Sequence, residues 1–157
     1  MSFRHYYKWG QPCGTVFRAS RHGFQGTFAI KIAKRIQAPF LMREAWLLKQ
    51  LVHENLIAIV ETFESPFFAV FVMPEMLTSV KQWVKPQSPS SQDLDVLSRD
   101  VLKALAYLHM NELMHLDIHL GNILIEKPGA PKFVLADLGI ADFWMPGFRG
   151  DAEVPGW

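Results

Sequence analysis

The stretch His115-Leu116-Asp117-Ile118-His119-Leu120-Gly121-Asn122, followed by the apolar run Ile123-Leu124-Ile125 and then by Asp137-Leu138-Gly139, decides the reading of this chain. It supplies an acid, an amide and a second acid from separate turns. One carboxylate can receive a proton, and an amide oxygen with a second carboxylate can fix a hard cation. Asp117 suits the first task; Asn122 and Asp137 suit the second. Taken singly, they are a loop aspartate, a turn amide and a strand-end acid.

The pattern H-L-D-I-H-L-G-N with D-L-G downstream resembles the catalytic and metal loops of protein kinases, H-R-D-L-x-x-x-N and D-F-G. The resemblance implies phosphoryl transfer from ATP, with Asp117 as catalytic base and Mg²⁺ held by Asn122 and Asp137. It also implies an α+β fold of two lobes. Residues 1–74 would form a five-stranded antiparallel N-lobe, and residues 75–157 the hinge and an incomplete helical C-lobe. In kinases most of that second lobe follows the metal loop, whereas this sequence reaches Trp157 without an A-P-E. The expectation is therefore a fragment or a natural truncation.

Upstream, Phe3 to Trp9 and Thr15 to Ala19 have the aromatic and β-branched content of strands, with Gly10 to Gly14 as the turn between them. Gly14 and Val16 resemble the end of G-x-G-x-x-G-x-V, the loop that covers ATP phosphates. Trp9 and Gln11 stand where its first two glycines belong, with Gly10 as a displaced substitute. Those glycines let the backbone approach the phosphates, so the grip is expected to be weaker. An ordinary hairpin turn fits these residues equally well.

His22 to Gly26 reads as a second turn, and Thr27 to Ile32 as a third strand with the form of V-A-I-K. By that resemblance Lys31 reaches the α and β phosphates; alone, it is a solvated edge lysine. Pro39 opens a helix with apolar Leu41, Ala45, Leu48 and Val52 at helical spacing. The run from Glu44 to Ile57 resembles the kinase αC helix and its exit, which makes Glu44 the ion-pair partner of Lys31. Ile57 to Phe63 and Phe67 to Met73 read as two buried strands. Met73-Pro74-Glu75-Met76 then resembles the hinge, with Met73 guarding the back pocket and adenine recognised by the Pro74 carbonyl and the Met76 N–H.

Lys85 to Ser90 is a polar break, and Ser90 with Asp93 makes a capping box. Leu94, Leu97, Val101, Leu105 and Leu108 mark one face of a long helix ending near His109. Leu124 is expected to lie under the adenine, opposite Val16 and Ala29. Two departures from the family pattern stand out. Leu116 replaces the arginine that in many kinases receives a phosphorylated activation loop. His119 replaces a lysine, and H-x-D-x-H-x-G-N also resembles the loop of aminoglycoside and choline phosphotransferases.

The chain has 157 residues, is 50% hydrophobic and carries a net charge of +1, with scattered basic residues that argue against nucleic acid. No apolar run is long enough to span a bilayer, and the first residues lack a signal-peptide core. One cysteine, Cys13, excludes an internal disulfide framework and suits an intracellular protein, cytoplasmic or nuclear. A long helix left uncovered on its apolar face would favour self-association or a protein partner. Three functions fit the pattern: a kinase directed at serine or threonine of a protein substrate, with His119 among its catalytic residues, present here as a truncated domain not expected to be active alone; a nucleotide-binding pseudokinase module; and a small-molecule phosphotransferase.

Overall fold

In the computed structural model, residues 2–4, 15–20, 26–86, 88–126 and 131–144 are described. The first half is a five-stranded antiparallel sheet of order β1-β2-β3-β5-β4. Its strands are β1 (Ser2–Arg4), β2 (Thr15–Ser20), β3 (Thr27–Lys34), β4 (Glu61–Glu64) and β5 (Phe68–Pro74). Cross-strand partners share a face, so the register Val16↔Lys31↔Phe71 and Arg18↔Ala29↔Met73 sets one continuous surface. The opposite face buries Ala19, Ile30 and Val72.

Against the Lys31 face packs α1 (Ala38–Gln50), entered through a 3₁₀ turn at Arg35–Gln37 and carrying Pro39 in its first turn. Leu41, Glu44, Ala45 and Leu48 recur at i, i+3, i+4 and i+7 and are all buried. The sheet meets this stripe with Ala33, Ala69 and Phe71, two of them small enough to let the helix come close. Val52 is not part of the stripe. Leu51 is extended at the helix end and takes the buried place, leaving Val52 84% exposed.

The expected strand from Ile57 is shortened to Glu61–Glu64. Leu56 and Ile57 are claimed by a different partner, because Leu56 bridges Leu135 in parallel and Ile57 N–H donates to the Leu135 carbonyl. Of the expected strand from Phe3 to Trp9, Phe3 and Arg4 lie in β1; residues 5–14 lie outside the described residues, as do 21–25 of the second turn.

After β5 the chain leaves the large sheet. β6 (Thr78–Ser79) pairs with β8 (Ile123–Ile125), which pairs with β9 (Phe133–Leu135), and a short helix α2 (Val80–Trp83) follows β6 directly. The helix α3 (Ser91–Met110) starts at the Ser90–Asp93 capping box, both halves of which form. Two residues past its C-cap, β7 (Leu113–Met114) pairs antiparallel with β10 (Asp142–Phe143).

The stripe that α3 buries is rotated from the one its leucines suggest. Asp100, Ala104 and Leu108 are buried, Leu97, Val101 and Leu105 half-buried, and Leu94 is 47% exposed. The cause is polar: Asp100 Oδ2 accepts the Phe133 N–H at 3.1 Å, which turns that acid toward β9. One apolar cluster then runs from Leu47, Leu48, Leu56 and Ile57 through Ala104, Leu108 and Leu113 to β8, β9 and Leu138. It welds the loops carrying Asp117 and Asp137 to the helix carrying Glu44. Among the described residues no helix is long and apolar enough to cross a membrane.

Leu108 is fully buried in this cluster, so Leu108→Ala is expected to cost about 2–5 kcal/mol in urea unfolding. Leu102→Ala, on the exposed side of the same helix, should cost less than about 0.5 kcal/mol.

Candidate active site

Strand alternation in β3 puts Lys31 on the same side as Ala29 and Ala33, and the helical stripe of α1 puts Glu44 opposite it. Lys31 Nζ lies 2.7 Å from Glu44 Oε2 and 3.3 Å from Asp137 Oδ1, with Lys31 4% and Glu44 2% exposed. The ammonium also stands 5.7 Å from the Phe71 ring centroid. The Leu138 backbone N–H supports the Glu44 carboxylate from the side of the Asp137 loop.

Burial works against the Lys31 charge, but Glu44 and Asp137 more than offset it and hold the ammonium above its ordinary value. Burial also pushes the Glu44 carboxyl up to about 7, against the pull of Lys31. Such a pair is costly to desolvate, and removing one partner of a buried pair typically costs about 3–5 kcal/mol. Its value lies in fixing three side chains from three elements in one geometry.

The loop between β7 and β8 is organised by His115, which is 1% exposed. Its Nδ1 accepts the Asp117 N–H at 3.2 Å, so Nε2 carries the proton and donates to the Ala136 carbonyl at 3.0 Å. Burial lowers the basicity of this ring despite its polar neighbours, and the neutral tautomer ties the Asp117 loop to the Asp137 loop. Asn122 Nδ2 donates to the Asp117 carbonyl at 3.0 Å and to Asp117 Oδ2 at 2.9 Å. That leaves the oxygen end of the amide for a cation.

Three non-glycine residues among those described adopt positive φ: Glu112 (58°), Leu116 (63°) and Asp137 (67°). Two are in the loops that carry the acids, and each costs on the order of 1–3 kcal/mol unless its surroundings impose it. Asp137 is imposed partly by itself, since its Oδ1 accepts the Gly139 N–H at 3.2 Å.

His119 Nδ1 accepts the Gly121 N–H at 2.9 Å, and its Nε2 stands 3.6 Å from Asp117 Oδ2. A Cβ at Gly121 would fall 2.8 Å from the imidazole, so the glycine makes the seat for this ring. Val16, Ala29 and Met73 lie on the sheet face that carries Lys31; Pro74 ends β5, and Met76 and Leu124 are half-buried beyond it. Arg18 and Thr27 both bond the Glu75 carboxylate at this end of the sheet. Gly10 and Gly14 lie outside the described residues.

Asp137 and the Asn122 amide oxygen are too few for a metal cage made by protein alone, and no cluster of three or more His, Cys, Asp or Glu occurs among the described residues. That donor set fits Mg²⁺, which binds through one or two side chains while phosphate and water oxygens complete its octahedron.

The protein kinase domain family profile matches residues 10–151. The chain belongs to the protein kinase family. Calcium/calmodulin-dependent protein kinase type IV of mouse is 33% identical over 134 residues, covering 83% of this chain and 28% of the relative. Serine/threonine-protein kinase TAO3 of rat is 33% identical over 108 residues, covering 68% of this chain and 12% of the relative. Protein kinase domain-containing protein ppk9 of Schizosaccharomyces pombe is 30% identical over 108 residues, covering 68% and 20%. The chain thus spans about a quarter or less of the length of these relatives.

Sequence reasoning missed Asp100 and Arg43. Asp100 stands in register with Ala104 and Leu108, and an acid on a buried stripe was the available signal. Arg43 Nη1 donates to the Ala141 carbonyl at 2.8 Å, and no spacing rule links residues 98 positions apart.

Two pH-dependent outcomes follow. A histidine held below its ordinary value of 6.5 contributes stability that is complete above 6.5 and lost as pH falls through the folded value. Wild type should therefore exceed His115→Gln in urea unfolding by more at pH 7.5 than at pH 5.5. Glu44 has the opposite sign: raised above 4.5, its contribution is complete below that value and lost as pH rises through about 7. Lys31→Met should accordingly lose about 3–5 kcal/mol at pH 8 and clearly less at pH 5.5, where Glu44 can take up a proton.

Proposed function

We propose that this chain binds ATP in the cleft between the five-stranded sheet and the Asp117 and Asp137 loops, and transfers the γ-phosphoryl group to serine or threonine hydroxyls of a protein. The observation that carries this reading is the buried Lys31, held by Glu44 and Asp137 at once. In the family such a lysine orients the α and β phosphates. Val16, Ala29, Met73, Leu124 and the main chain of Pro74 and Met76 take the adenine, and Gly10 and Gly14 belong to the phosphate loop. Residues 1–74 and 75–157 are the two lobes; the departure of the chain from the large sheet after Pro74 supports that division.

Mg²⁺, held by Asp137 and the Asn122 oxygen, supplies charge neutralisation at the phosphates. The chain's own residues do the rest. Asp117, held by Asn122 and by its own backbone bond to His115, accepts the proton of the acceptor hydroxyl as the new O–P bond forms and the bond to ADP breaks. His119, seated by Gly121 with Nε2 toward Asp117, occupies the position from which a side chain supports the transferred phosphate. Beside the site, Leu116, Ile118, Ile140, Phe143 and Trp144 are each 43–56% exposed, a surface we assign to contact with the acceptor protein or a second copy of the chain.

The test uses labelled ATP, Mg²⁺ and a serine/threonine peptide library. Incorporation is expected from the wild-type chain and should fall by at least about 100-fold in Asp117→Asn, which should still show the stabilisation by Mg-ATP seen in wild type. Transfer that persists unchanged in Asp117→Asn would overturn the assignment. Stabilisation by nucleotide with no transfer from either chain would favour a binding module instead.

A further inference from the structure

Pro74 is the last residue of β5, and by Leu77 the chain already belongs to the other sheet, where the Leu77 N–H donates to the Ile125 carbonyl at 2.8 Å. Glu75 and Met76 are all that lies between. Such a short linker has few ways of holding its own direction. The Pro74 carbonyl and the Met76 N–H are the groups assigned above to adenine, so they cannot also be spent on anchoring it. A side chain has to do that, and Glu75 stands between the two.

Both carboxylate oxygens of Glu75 are taken. Oε2 accepts from the Thr27 hydroxyl, and Arg18 Nε stands 2.6 Å from Oε1. Strand alternation puts Thr27 on the face of β3 that carries Ala29 and Lys31, and the register Arg18↔Ala29↔Met73 puts Arg18 on that same face. Glu75 is therefore drawn onto the cleft side of the large sheet, at the end beyond Ala29 and Met73. The ion pair alone is a weak restraint, since the side chains of Arg18 and Glu75 are 47% and 27% exposed. The hydroxyl bond adds direction, because Thr27 belongs to β3, the central strand, paired with β2 on one side and β5 on the other.

We propose that Glu75 is a positioning residue of the adenine subsite: held by Thr27 and Arg18, its side chain latches the linker to the sheet, so that the main chain on either side of it meets the base in one fixed geometry. The consequence for nucleotide rests on the ATP reading of the cleft; the latch itself is measured without nucleotide. Base selection is its sharpest readout. Hypoxanthine has a carbonyl where adenine has its amino group and an N1–H where adenine has a lone pair, so ITP offers the same main-chain groups a donor and an acceptor in the wrong order. A fixed linker favours ATP over ITP, and a loosened one discriminates less.

The experiment measures dissociation constants of Mg-ATP and Mg-ITP by calorimetry on the full chain, with hydrogen–deuterium exchange of the linker amides in the absence of nucleotide. Glu75→Ala should speed exchange at residues 75–77 by about tenfold, the loss of one well-made hydrogen bond, while α1 keeps its wild-type rates. The same variant should weaken ATP by about tenfold and ITP by less than about threefold. Thr27→Val, which removes the hydroxyl and keeps the shape, should move both readouts in the same direction, and Thr27→Ser should not. Glu75→Gln, which can still bond both neighbours, should recover part of what Glu75→Ala loses. Unchanged linker exchange in Glu75→Ala, a faster exchange spread evenly over the linker and α1, equal losses for ATP and ITP, or no difference between Thr27→Val and Thr27→Ser would each overturn the proposal. A wild-type chain that binds neither nucleotide would overturn the ATP reading and with it the role in base selection, while linker exchange would still decide whether the latch exists.

Discussion

A single buried ammonium group sets the terms for this structure. Lys31 sits where water is excluded, and its charge is tolerable only because two carboxylates from distant parts of the chain meet it. Glu44 comes from a helix and Asp137 from a loop 106 residues away in sequence from Lys31. Each of the three would be a liability alone. Together they force the sheet, α1 and the Asp137 loop into one arrangement, because any displacement strands a charge in a low-dielectric space. The apolar cluster around Leu48, Leu108 and Leu138 supplies the attraction, but it is non-directional. The ion triad supplies the direction.

The loops on the other side of the cleft are held by hydrogen bonds of a different kind. His115 is neutral and spends both ring nitrogens on backbone groups, one in each acid-bearing loop. Asn122 spends its amide nitrogen twice on Asp117. These contacts hold Leu116 and Asp137 in left-handed backbone conformations that a free loop would avoid. Such a loop is set by the fold itself, with its acids and amide already in place.

Much of this was legible in the sequence because local chemistry and periodicity point the same way. Alternation in Thr27-Phe28-Ala29-Ile30-Lys31-Ile32 gave the strand, the spacing of Leu41, Ala45 and Leu48 the helix, and Ser90 with Asp93 the start of α3. The acids and the amide were found because their spacing resembles that of a family whose loops are short and contiguous. Where sequence reasoning failed, long-range partners had overridden local pattern. Ile57 looked like strand and belongs to β9 through a backbone bond to Leu135; the leucine face of α3 was turned by Asp100; Val52 continued the helical spacing past the point where Leu51 had already left the helix.

The sequence by itself determined which side chains carry charge, which faces of β3 and α1 they occupy, and the order in which strand lysine, helix glutamate, loop acid, amide and second acid occur. These follow from spacing along one element, where geometry is fixed by the backbone repeat. Only the tertiary structure decided that Lys31 serves two carboxylates instead of one, that His115 joins two loops, and that Arg43 reaches the chain at Ala141 and Asp142. Those outcomes depend on side chains meeting across elements far apart in sequence, and burial, which raises the cost of leaving any of them unpaired, is a property that no local stretch possesses.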